Sequence, residues 1–164
     1  MRISEYYIYV VLITMLLIIL FLSLAPFVPI NEPLFFNGVN LFLPVGVSFS
    51  AALALFSFII IFLLFSTSKN VWINILIDST ALTFSILNYI NIFLIWSIWH
   101  PSLVIIPFFL LIFYNGSSAL WLDFGQIILL IFFYRLYKNY RSSRRPRPLS
   151  GSDSTVTGDW MKTH

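Results

Sequence analysis

Four long apolar runs, at 6–28, 44–65, 71–98 and 119–137, leave this chain few ways to fold in water. A helix of about 20 such residues crosses the roughly 30 Å hydrocarbon core of a bilayer, so each run is a candidate span. The composition agrees: 60% of residues come from the AVILMFWYC set, 9% are charged, and the mean hydropathy is +0.95. Soluble domains carry about 25% charged residues. A water-soluble globule, a disordered chain and a nucleic-acid-binding domain are excluded, although the pI is near 9.3.

Several chemistries are missing from the alphabet. There is no cysteine, which removes disulfides, thiolate metal sites and thiol nucleophiles. The histidines are His100 and His164 alone, too few for a bis-histidine haem or a multi-histidine metal site. No GxGxxG or GxxxxGK[ST] phosphate loop occurs, and no internal repeat is visible. No cofactor is expected.

The first run is too long for a signal-peptide core and is read as a retained helix. Pro26, Pro29, Pro33 and Pro44 then punctuate the connection to the second run. Asn37-Gly38 lies between apolar segments 34–36 and 39–43, a hairpin signal, with an irregular loop in the headgroup region as the alternative. Pro44 suits the first turn of a helix. Polar turns follow at 66–70 and 115–118, and His100-Pro101 interrupts the third run. After Lys138 the composition shifts to Ser, Arg, Pro, Gly and Thr, so the domain expected at 1–137 is followed by a basic tail at 138–164.

Topology turns on residues 102–114. As a helix this stretch is about 20 Å long, short of the hydrocarbon core, which makes it a re-entrant or interfacial helix beside four spans. The alternative breaks the chain near 88–91 and makes 92–114 a full span, giving five. Basic residues favour the cytoplasmic side, and four spans keep Arg2, Lys69 and the tail together there. Four spans also set Trp72 at one interface and Trp96, Trp99 and Trp121 at the other. The expected fold is thus an all-α integral membrane bundle of four spans, with the N-terminus and tail on the cytoplasmic side.

Lipid makes polar residues expensive, which singles out a few positions. Asp78 lies two turns into the third run, and Asn74, Ala81, Ser85 and Asn88 share its stripe by helical spacing. That stripe either holds a neighbouring helix or lines an ion or proton path with Asp78 titrating. Asp123 and Gln126, three apart, form an interfacial cluster with His100, and a His100–Asp123 contact is one arrangement of it. Gly46, Ser50 and Ala54 recur every four residues and let a second helix approach closely. Arg135, Lys138, Arg141, Arg144, Arg145 and Arg147 follow the last run, interleaved with tyrosines, and are expected to fix orientation and contact anionic headgroups or a partner.

No catalytic constellation emerges. The expected role is a non-enzymatic accessory or structural subunit of a larger membrane complex, with other membrane subunits or further copies as partners and no nucleic acid. Its rivals are a small transporter, channel or pore-forming oligomer using Asp78, and a redox or quinone-binding subunit using His100, Asp123 and Gln126.

Overall fold

A computed structural model describes residues 3–28, 35–36 and 39–143. Helix α1 (Ile3–Ser23) is followed by one 3-10 turn at Ala25–Phe27, where Pro26 ends the regular helix. Strands β1 (Phe35–Phe36) and β2 (Val39–Asn40) pair antiparallel, with Phe36 opposite Val39. Asn37 and Gly38, where the sequence suggests a hairpin turn, lie outside the described residues. Helix α2 (Phe42–Phe65) starts where the Asn40 carboxamide accepts from the Phe42 N–H, and Pro44 sits in a first turn whose N–H groups lack helical partners. The Asn70 side chain caps α3 (Val71–Trp99) by accepting from the Trp72 N–H at 3.0 Å. His100 closes α3 in the left-handed conformation, forced out of the helical region by Pro101.

The short helix expected at 102–114 does not form. Residues 102–122 instead make a three-stranded antiparallel sheet of β3 (Ser102–Ile106), β4 (Phe109–Tyr114) and β5 (Ser117–Leu122), in the order β3-β4-β5. Two tight turns build it. Asn115 and Gly116 have φ of 48° and 79°, and positive φ at both positions is what a twisted hairpin turn requires. At the other end Pro107 is followed by Phe108 at φ 67°, a proline and left-handed pair of the kind a type II turn uses. The last helix, α4 (Phe124–Ser143), therefore starts later and ends later than the apolar run 119–137 suggests. Nor does the chain break at 88–91, which α3 crosses without interruption.

Helix α3 is central and packs against α1, α2 and α4. Around it Val10, Phe21, Ala54, Phe58, Ile75, Ile77, Phe84, Leu87, Ile128 and Phe132 form the apolar core. Because helices cover α3 on several sides, Ser79, Thr80 and Thr83, off the Asp78 stripe, are buried along with Asp78, Ala81 and Ser85 on it. Thr80, Thr83 and Ser85 return their hydroxyls to carbonyls one turn back, which lets them serve as small packing surfaces. The Ser79 hydroxyl crosses to the Val10 carbonyl of α1 at 3.1 Å.

The outer faces reverse the pattern of a soluble protein. Leu16, Ile19, Phe56 and Leu63 are each more than half exposed, on surfaces that water disfavours and hydrocarbon does not.

Candidate functional site

Two polar clusters sit on α3, one near its start and one just past its middle. The first gathers Asp78 and Asn74 of α3, Tyr6 of α1 and Arg135 of α4. Asp78 is 1% exposed, and Arg135 donates from Nε to its Oδ1 at 2.7 Å. The Tyr6 hydroxyl donates to Oδ2 at 2.6 Å. Arg135 also donates from Nη2 to the Asn74 carboxamide oxygen at 3.0 Å, and the Asn74 amide returns to the Ser68 and Asn70 carbonyls. A buried carboxylate is costly in a low dielectric unless a cation and hydrogen bonds compensate it, and here both do. Among the described residues no buried side-chain nitrogen or oxygen lacks a partner.

Arg135 departs from the expectation of a purely interfacial cation. It stands in the basic series after the last apolar run, where it reads as an interfacial anchor. With α4 running on to Ser143, it lies more than two turns inside the helix and turns inward to Asp78. The two depths match in antiparallel helices, Asp78 seven residues into α3 and Arg135 eight before the end of α4, a match that an apolar run ending at 137 conceals.

The second cluster joins α3 to the sheet. Asp123 is buried just before α4, where its Oδ1 accepts from the Gln126 N–H at 3.2 Å, an N-cap arrangement. The same oxygen accepts from the Asn88 amide at 3.3 Å, and the Tyr89 hydroxyl reaches Oδ2 at 3.5 Å. Gln126 clamps the strained Pro107-Phe108 turn, accepting from the Phe108 N–H at 3.0 Å and donating to the Ile106 carbonyl at 3.4 Å. The Asp123 N–H donates to the Phe108 carbonyl at 2.9 Å. Gly125 makes room for this junction, because a Cβ there would lie 2.6 Å from the Asn88 amide nitrogen. A cavity of about 70 Å³ adjoins the cluster, with Asn88, Asn91 and Asp123 on its wall.

The remaining predicted residues separate. His100 is exposed and stacks edge-on against Trp96 at 5.7 Å, while Asp123 is held by Asn88, Tyr89 and Gln126, so the His100–Asp123 contact is replaced by these bonds. Ser85 is tied to Ala81 within its own helix. Gly46, Ser50 and Ala54 are buried within the chain: a Cβ on Gly46 would come to 3.2 Å from Ala25, and the Ser50 hydroxyl donates to the Phe21 carbonyl at 2.8 Å. Lys138 and Arg141 are exposed on α4. Arg144, Arg145 and Arg147 lie outside the described residues. Among the described residues no group of three acidic or histidine side chains is placed to hold a metal ion.

Comparison with protein-family models, with curated proteins and with solved structures returned no match. What the fold defines is a class. Among the described residues α1, α2 and α3 are long and apolar enough to cross a membrane, which is compatible with a multi-pass integral membrane protein. A small sheet accompanies a mostly helical chain.

Proposed function

We propose that this is a four-span membrane protein acting as a non-enzymatic subunit of a larger membrane assembly. The observation that carries the reading is the sheet. All six residues of β5 are exposed, Leu120 and Trp121 by more than half, and Val104, Ile105 and Phe113 are exposed on the other strands. An apolar sheet with open edge strands is a surface that calls for a cover, and strand addition by a second polypeptide is one way to supply it. The polar interior supports the same reading, since the hydrogen-bonding groups of Asp78, Asn74, Asp123 and Gln126 are spent on holding helices and sheet together.

The fourth span in this reading is α4, about 30 Å long at 1.5 Å per residue. The Tyr6–Asp78–Arg135 contact puts the start of α1, the start of α3 and the end of α4 at one end, and Lys69 precedes α3 there. That end is cytoplasmic by the preference of basic residues, and the sheet faces the opposite side.

Single cysteines at Ser4→Cys and Ser152→Cys, in a chain that has none, test the span count by labelling from each side. Both label from the same side with four spans. Mass determination after purification in mild detergent tests the assembly: a stoichiometric companion is expected, lost on Leu120→Lys with Trp121→Lys. A lone chain whose ion flux disappears on Asp78→Asn overturns the subunit reading in favour of a transporter or channel. That rival has one observation of its own, an open groove that reaches Arg135 beside Asp78.

A further inference from the structure

The groove beside the ion pair has a composition of its own. It lies between α2 and α4, encloses about 460 Å³, and is floored by Asn74 of α3. Phe62 of α2 and Ile131 of α4 give it apolar walls along the helices, while Thr67 and Ser68 close the end beyond Phe65, where α2 stops. Arg135 and Lys138 line it from α4, and among the described residues no carboxylate does.

The two cations are differently engaged. Arg135 uses Nε and Nη2 on Asp78 and Asn74, which leaves the Nη1 group without a described acceptor. Its charge is matched by Asp78, so it contributes donors more than net charge. Lys138, one helical turn further on, is exposed and has no ion pair or hydrogen bond among the described residues. The groove is therefore graded: apolar beside the helices, hydroxyl-rich and net positive where the apolar part of α2 ends.

We propose that this groove binds one phospholipid of net negative headgroup, with the phosphate against Lys138, Thr67 and Ser68 and an acyl chain along Phe62 and Ile131. The assignment rests on the four-span reading, which sets this end of the bundle at the cytoplasmic headgroup level. A free phosphate satisfies only the polar half. A zwitterionic lipid satisfies the apolar half but brings its own cation toward Lys138. An anionic lipid satisfies both.

Native mass spectrometry of the full chain in a nonionic detergent reads the binding directly, with phosphatidylglycerol, phosphatidylcholine and glycerol phosphate as probes. One phosphatidylglycerol is expected to be retained in preference to phosphatidylcholine, with no retention of glycerol phosphate. Lys138→Gln weakens that binding about fivefold, the effect of about 1 kcal/mol for one basic residue near a headgroup. Thr67→Trp, which fills the groove without changing charge, weakens both lipids. Arg141→Gln removes the same charge from the same helix outside the groove and keeps wild-type binding. Equal losses from Lys138→Gln and Arg141→Gln mean diffuse surface attraction and overturn the proposal, as does equal retention of the two lipids. Retention of glycerol phosphate alone overturns it in favour of a free anion. Both residues are exposed, and wild-type melting of each variant shows that the fold is intact. Failure here with sidedness labelling as expected rejects the groove alone, whereas failed labelling rejects the four-span reading beneath it.

Discussion

The two carboxylates that α3 engages solve the same problem in different ways. Asp78 meets a guanidinium and a phenol from two other helices. Asp123 meets a carboxamide, a phenol and a backbone N–H at a helix start, with no cation among its bonds. Asp78 and Asn88, the α3 residue that holds Asp123, are ten residues apart along α3, about 15 Å. The difference is one of surroundings. Asp78 is enclosed by three helices, where only an opposite charge offsets desolvation. Asp123 stands at the junction with the sheet, where the N-terminus of α4 favours a negative charge and supplies N–H donors.

The sharpest way to break the comparison is to remove the cation. Arg135→Leu leaves the Asp78 carboxylate enclosed and unpaired, at a cost of about 3–5 kcal/mol, read as loss of thermal stability in detergent. Replacing both partners by leucine recovers most of that loss, because the uncompensated charge is gone. Asp123→Ala costs less, about 0.5–2 kcal/mol, as expected for losing a helix cap, and Asp123→Asn less again because the acceptor remains. If Asp123→Ala proves as damaging as Arg135→Leu, the two clusters are not distinguished in this way. Gln126→Leu releases the Pro107-Phe108 turn for about 1 kcal/mol, with faster hydrogen exchange at Phe108 as its local signature. Phe108→Gly has the smallest effect. It removes a left-handed non-glycine residue but gives the unfolded chain more freedom, so melting shifts by no more than about 1 kcal/mol, towards stability.

The helices were legible in the sequence because apolar length is a strong signal and prolines or polar turns separate the runs. The Asn70 cap and the His100-Pro101 stop could be read from local chemistry. The sheet could not be read from periodicity. The strands β3 and β4 are apolar at nearly every position, so no alternation marks them, and Pro107 reads as a helix breaker before it reads as a turn. Yet Asn115-Gly116 is the same dipeptide that flagged a hairpin at 37–38, and applied there it points to strands. The small-residue face of α2 was visible as a packing surface, while its neighbours, Phe21 of α1 and Ala25 of the turn after it, were not, because helix adjacency is a property of the fold and not of one helix's residue spacing. Arg135 was hidden by an error in the end of one helix, which moved a buried cation to the rim.

The pairing of Asp78 with Arg135 also sets an order of events during synthesis. The two residues are 57 positions apart, so at about 5–20 residues per second the ribosome adds the arginine roughly 3–11 s after the aspartate. Throughout that interval α3 carries a carboxylate without its counter-ion. Tyr6 is already made, and its hydroxyl is the one partner in the finished cluster that α1 supplies from the start. A chain that stops before α4 therefore holds the Asp78 carboxylate by the Tyr6 hydroxyl alone, and α4 brings the charge that completes the cluster.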